Sequence, residues 1–288
     1  MKKYYSLLFA LLAVMAMALV FVSCNKETDY EEPKPESKYQ MTFTTEHPVG
    51  SKMWLFLKRG EQPTEVIGAK EIYDENPFDG DTNPFDGSSD NGEIILGLEL
   101  EKQTVTIKGD ITYITFYEPM LTALDVSKNP ILEYLYIHYN ISTLASLDVS
   151  KNTALTTLIC FGCQLKELDV SKNTALKALS CDENNLTSLD VSNCPKLEVI
   201  RCGYNKLTSL DISKNPELKF LHCQGNKIKA EEMSKIINSL TDWSGQDKDG
   251  YGHLSAISFY PTLEENEIME EDIKIAEDKN WEIFNYIY

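Results

Sequence analysis

A mainly β solenoid, preceded by a small β domain and closed by an α/β cap, is the fold class that this 288-residue sequence predicts. Three observations predict it. The phrase Leu-Asp-Val/Ile-Ser begins at Leu124, Leu147, Leu168, Leu189 and Leu210, at spacings of 23, 21, 21 and 21. Between these phrases recur short x-Leu-x-Cys or x-Leu-x-apolar segments that alternate as strands do. Outside Ile111 to Ile228 the period fades into irregular segments, as it does at the two ends of a stacked array.

Aligned on the phrase, one repeat reads L-x-x-L-x-C-x-x-N-x-L-x-x-L-D-V-S-x-N, carried most fully by Leu176, Leu179, Cys181, Asn184, Leu186, Leu189, Asp190, Val191 and Ser192. A coil of 21 residues cannot bury its own apolar side, so each leucine must lie over its equivalent in the next coil. The first of six copies is degenerate, with Ile111, Ile114, Phe116, Pro119, Leu121 and Leu124 in the template positions, and the second carries two extra residues after Asn140. The pattern resembles the leucine-rich-repeat family. That resemblance implies a right-handed leucine-rich-repeat solenoid of 21-residue repeats over 105–229. It also implies that Asn140, Asn184, Asn205 and Asn226 satisfy backbone groups of adjacent coils, a ladder broken at Cys163.

The chain starts with Lys2 and Lys3, followed by a 16-residue apolar run from Leu7 to Val22 and then Ser23-Cys24. A basic start, an apolar stretch too short to span a bilayer and a small residue before cysteine form an export signal over 1–23. Val22-Ser23-Cys24 resembles the lipobox of bacterial lipoproteins, which implies lipidation at Cys24. An uncleaved anchor and cleavage without lipidation are the alternatives, and both also place the protein outside the cytoplasm. Residues 24–38, rich in charge and proline, are expected to be a disordered tether. Their acidic character resembles the surface-export signal of gut-bacterial, Bacteroides-like lipoproteins, so the expected location is the bacterial outer membrane or cell surface. Removing 1–23 removes two of the 27 basic residues and none of the 45 acidic ones, moving the net charge from −18 to −20. A surface so acidic excludes nucleic acid as a partner.

A small N-terminal β domain is expected over 39–104, with strands at 39–45, 51–58 and 94–100 set by Tyr, Thr, Phe and Trp. It would cover the open first edge of the solenoid. Within it an acidic loop, 74–93, holds seven acidic residues, no basic ones and a duplicated Asn-Pro-Phe-Asp-Gly. Asp79, Asp81 and Asn83 alternate as in a calcium loop, but Pro84 and Asp90 stand where an EF-hand needs glycine and glutamate, which favours a solvated loop. At the other end, 230–288 reads as an α/β cap. Met233, Ile236, Ile237 and Leu240 recur at helical spacing, and a strand (254–260), a helix (270–279) and a strand (281–287) follow. The cap resembles the larger final repeats of exported leucine-rich-repeat lipoproteins, including Lys279-Asn280-Trp281.

Cys160, Cys181, Cys202 and Cys223 are 21 apart and share one inward template position, so they are expected to form an apolar ladder. Parallel stacked side chains disfavour the disulfide dihedral. Cys160-x-x-Cys163 is half of a metal or redox motif, yet its spacing is that between the ladder and asparagine positions. Cys194 stands where other repeats have asparagine, and no role follows for it. Asp125, Asp148, Asp169, Asp190 and Asp211 form a second column, open to reading as a cation ladder or as turn-capping side chains. The second is favoured, because Asp hydrogen-bonds turn backbone and lysines recur three positions later at 128, 151, 172 and 214. No metal or cofactor is expected.

Solenoid curvature makes a concave strand surface, and the resemblance implies that partners bind there. The outward residues flank the inward Leu and Cys of each strand. The candidate ligand-binding set is Tyr113, Tyr117, Tyr134, Tyr136, His138, Ile159, Phe161, Arg201, Phe220 and His222, in which tyrosine and arginine are the types that interface hot spots favour. Ala178, Ser180 and Asp182 face the same way. Aromatics also simply suit strands, so packing remains the competing explanation. An enzyme would need a paired constellation, yet His138 and His222 lie four coils, about 19 Å, apart at strand spacing. No nucleophile elbow, Gly-rich phosphate loop or H-x-x-x-H motif is present. The expected function is therefore an adhesin-like module binding an unknown protein through its concave face. The alternatives are a surface glycan-binding lipoprotein and a structural envelope protein.

Overall fold

The computed structural model describes residues 37–58, 60–72, 93–117, 119–138, 144, 146–245, 252–255 and 266–283. The export segment, Cys24, the tether up to 36, the acidic loop except Glu93, and Asn140 lie outside the described residues. Among the described residues no helix is long and apolar enough to cross a membrane.

The chain enters through β1 (Gln40–Thr45), β2 (Lys52–Lys58), β3 (Glu65–Ile67), β4 (Ala69–Ile72), β5 (Glu93–Leu100) and β6 (Thr104–Lys108). In β1 every second side chain is buried, and Met41 and Phe43 reach the core, which is the period-2 pattern of a strand with one wet face. β2 lies antiparallel along the first solenoid strand, β7 (Tyr113–Tyr117), with Leu55 opposite Phe116 and Leu57 opposite Ile114. The edge of the solenoid is thus covered by main-chain pairing, and both Glu61 carboxylate oxygens accept backbone N–H groups beyond it, from Thr112 at 2.9 Å and Tyr113 at 3.3 Å. β8 (Leu121–Asp125) turns back to pair with β1, completing a four-stranded second sheet in the order β3-β6-β1-β8. Ser37, at the end of the expected tether, already donates to Asp110 at 2.7 Å.

From β7 the main sheet is a parallel stack: β9 (Tyr134–His138), β10 (Thr157–Cys160), β11 (Ala178–Ser180), β12 (Val199–Arg201) and β13 (Phe220–His222). Leu158 pairs with Leu179, Leu179 with Ile200 and Ile200 with Leu221, so the strand register reproduces the 21-residue period. All four are fully buried. Each such side chain contributes about 1.5–3 kcal/mol by leaving water. This is the leucine-rich-repeat solenoid expected from the sequence.

Two asparagine ladders, not one, hold the coils together. In the expected ladder Asn184 donates to the carbonyls of Cys160 and Cys181 and accepts from the Leu165 N–H at 2.9 Å; Asn205 and Asn226 repeat the pattern one coil on each time. Asn266 extends it by accepting from the Ile228 N–H and donating to the Cys223 carbonyl. The second ladder is Asn129, Asn152, Asn173 and Asn215, all buried. Asn173 donates to the carbonyls of Val149 and Asn152, and Asn152 to those of Val126 and Asn129. Cys194 occupies the missing rung, its thiol 3.5 Å from the Val170 carbonyl and 3.6 Å from that of Asn173, the groups an asparagine there would meet.

Four further cysteines, at 160, 181, 202 and 223, form the predicted inward column as free, fully buried thiols, and Cys163 and Cys194 are buried and free as well. Burial pushes the Cys160, Cys181 and Cys202 thiols well above their ordinary range, and holds Cys163 at about 12 and Cys194 at about 11. They pack as small hydrophobes rather than reactive thiolates. The aspartate column caps turns: Asp125, Asp148, Asp169, Asp190 and Asp211 each accept the backbone N–H of the serine two residues on, at 2.8–2.9 Å. Hydrogen bonds from those serines hold all five carboxyls below the usual range, with the neighbouring lysines a smaller contribution at four of them and none at Asp190.

The far end closes with α1 (Ala230–Ser239), β14 (Gly252–Ser255), α2 (Glu270–Asp278) and β15 (Trp281–Ile283). Met233, Ile236 and Ile237 bury the inner face of α1, and acidic residues at the first turn of each helix suit its positive N-terminal end. β14 and β15 extend the parallel sheet beyond β13. Residues 256–265 and 284–288, which hold the rest of the two strands expected here, lie outside the described residues. Lys279 donates to the carbonyls of Ile237, Asn238 and Leu240 at the C-terminal end of α1, and buried Trp281 donates to the Thr241 carbonyl at 2.8 Å. Lys279 and Trp281 therefore fasten α1 over the last apolar layer.

Candidate ligand-binding face

Side chains that alternate with the inward Leu and Cys stand on the outward face of the sheet in three columns, one step of about 4.8 Å per coil. The middle column runs Thr115, Tyr136, Ile159, Ser180, Arg201, His222, as the strand register requires. Serine is the smallest of these, so the sheet dips at coil four. Tyr136, Ile159 and Phe161 rise on one side of the dip and Arg201, Tyr204 and His222 on the other, enclosing a recess of about 340 Å³ with Ser180, Asp182 and Glu183.

Asp182 organises the polar side. Its Oδ1 accepts from the Gly203 N–H at 2.9 Å and lies 2.7 Å from His222 Nδ1, while Oδ2 accepts from the Ser180 hydroxyl at 2.8 Å. Asp182 is 4% exposed and His222 8%, so a carboxylate that would otherwise be costly to bury is satisfied from three directions. Gly203 is required here for space: a Cβ on it would lie 2.6 Å from His222 Cε1 and 2.9 Å from Nδ1. Arg201, half exposed, sits with Nε 3.8 Å from Asp182 Oδ2 and its guanidinium 5.3 Å from the centre of the Phe220 ring. Gln224 donates to the hydroxyl of Tyr204, which lines the recess, at 2.9 Å.

The second residue after each ladder cysteine is left-handed: Gly162, Glu183, Tyr204 and Gly225, with φ of 66°, 55°, 51° and 67°. Glycine adopts this backbone freely, whereas other residues are strained by about 1–2 kcal/mol. Glu183 and Tyr204, the two non-glycine members of this set, both line the recess. Glu183 is exposed, yet partial desolvation and then the nearby Asp182 charge push its carboxyl above the usual glutamate range.

No protein-family model matches the chain, and no curated protein sequence matches it. Among solved structures, an internalin (InlF) from Listeria monocytogenes is similar with a TM-score of 0.44 and 16% identity, over 60% of this chain and 45% of that one. The functional domain of InlJ from the same organism, described as including a cysteine ladder, gives 0.41 and 28% over 58% and 37%. A leucine-rich-repeat protein from Leptospira interrogans gives 0.37 and 19% over 59% and 46%. The chain spans less than half the length of each of the three. These likenesses are to bacterial leucine-rich-repeat proteins; the solenoid assignment itself stands on the strand register above.

The candidate residues fall into two groups. Tyr136, Ile159, Phe161, Arg201 and His222 come together around the recess. Tyr113 and Tyr134 stack on each other nearer the start of the sheet, with ring centres 4.1 Å apart and planes at 12°, and Phe220 lies under Arg201. Tyr117 and His138 pair through their backbones, and their side chains lie outside what is described. Sequence reasoning placed Ser180 and Asp182 on this face without making them candidates, and passed over Glu183 and Tyr204. The signal was there for Asp182: a carboxylate in one outward column, with a histidine in the adjacent column two coils later. Among the described residues no group of three or more His, Cys, Asp or Glu is arranged to hold a metal ion.

Proposed function

We propose that the protein is an exported, lipid-anchored binding module that takes a protein partner on the outward, concave face of its solenoid. One observation carries this: the outward columns come together around one recess with an aromatic side and a buried, hydrogen-bonded Asp–His side. Aromatic and arginine side chains around a partly desolvated pocket are what interface anchors require. The acidic net charge of −18 turns the partner preference toward basic surfaces. A glycan is the second reading, favoured by Tyr136 and Phe161 beside hydrogen-bonding groups, since sugars stack on rings while their hydroxyls pair with polar atoms. Export and anchoring at Cys24 rest on the N-terminal sequence. Labelled fatty acid that never enters the wild-type chain, or that enters a Cys24→Ala variant equally, would remove the anchor.

The functional test is an array of proteins and glycans probed with the full chain beside a Tyr117/Tyr136/Phe161 triple alanine variant whose melting temperature shows that it is folded. A signal on protein spots that the variant loses supports the proposal. Loss confined to glycan spots selects the second reading. A signal unchanged in the variant rejects this face as the binding site.

A further inference from the structure

Given that this face is the binding surface, we propose that the recess is an anchor subsite for one basic side chain, lysine or arginine, of a protein partner. That side chain would lie along Tyr136 and Phe161, with its charge against Glu183.

The assignment follows from which groups lining the recess are already committed. Asp182 spends its carboxylate on Gly203, Ser180 and His222, so it fixes the polar wall and has little capacity left for a ligand. Arg201 is drawn toward Asp182 and the Phe220 ring. Glu183 differs. It is held on a left-handed backbone where two other coils use glycine, and it lines the recess beside Asp182. The cost of its charge there is the reason its carboxyl is raised, and a cation in the recess relieves that cost. Tyr136 and Phe161 line the same recess, and aromatic rings attract ammonium and guanidinium groups and also cover an alkyl stem. A volume of about 340 Å³ suits one long side chain rather than a folded segment. The chain's 45 acidic against 27 basic residues draw a cationic partner from a distance.

The test titrates the full chain with four probes: acetyl-Gly-Arg-Gly-amide, its lysine and glutamine counterparts, and a neutral oligosaccharide. The basic peptides should bind and the glutamine peptide and saccharide should not. Glu183→Gln should weaken the arginine peptide about tenfold, the loss expected for one charge-assisted contact. Ser180→Phe, which fills the floor, should abolish binding. Binding needs Glu183 ionised, and its carboxyl sits above the ordinary 4.5, so affinity should begin to fall at a higher pH than for an unperturbed glutamate. Equal binding of the glutamine peptide, stronger binding of the saccharide, no binding of basic peptides, or an unchanged affinity in folded Glu183→Gln would each overturn the proposal. If these tests fail while the array signal is still lost in the triple variant, the face binds protein by other chemistry. If the array signal survives that variant, the face itself is misassigned.

Discussion

The inside of the solenoid and its outward face are built from the same strands, yet they obey opposite rules. Inside, one column repeats Leu158, Leu179, Ile200 and Leu221, and another repeats cysteine four times. Outside, the middle column changes at every coil: Tyr136, Ile159, Ser180, Arg201, His222. Stacking explains the first rule, because each inward side chain needs the same shape above and below it. The outward face has no neighbour to match and is free to vary from coil to coil. The Asp182–His222 pair is the exception, an outward set that has become as interlocked as the interior.

Three substitutions grade that contrast. Leu179→Ala removes a fully buried rung and leaves a cavity between Leu158 and Ile200, so unfolding free energy in denaturant should fall by about 2–5 kcal/mol. A loss below about 1 kcal/mol would show that the stack relaxes into the gap. Gly203→Ala should cost about 1–3 kcal/mol, although it adds a single methyl on the outward face, because the new Cβ displaces His222 and unseats Asp182. If its melting temperature matches wild type, the pair is not structurally interlocked. Cys194→Asn completes the second asparagine ladder and should change stability by less than about 1 kcal/mol. It gains donors to the Val170 and Asn173 carbonyls but buries another Oδ1, and that atom is without a hydrogen-bond partner in Asn129, Asn152, Asn173 and Asn215. A large gain would mean that the thiol leaves those carbonyls effectively unpaired.

The interior was legible because it is periodic. Leu-x-Cys at a spacing of 21 has one solution that buries every apolar side chain, and from it followed the parallel strands and the free thiols, while the family resemblance implied the ladder through Asn184, Asn205 and Asn226. The second ladder was less visible, since Asn129, Asn152, Asn173 and Asn215 sit in a phrase that also reads as an ordinary polar turn. Trp281 and Lys279 were recognisable as an ending, but not as the groups that tie down α1 some 40 residues earlier.

By itself the sequence determined the coil, its period, the inward columns and which residues face outward, because those follow from repetition and from burial along the chain. Only the tertiary structure decided which outward residues act together. Asp182 and His222 are 40 residues apart and meet because two strand spacings and the missing side chain of Gly203 leave room for one ring beside one carboxylate. The recess exists for the same reason. It is the space left where Ser180 falls between aromatic and charged neighbours, the lining being drawn from five coils, and that depends on stacking register, which no single repeat contains.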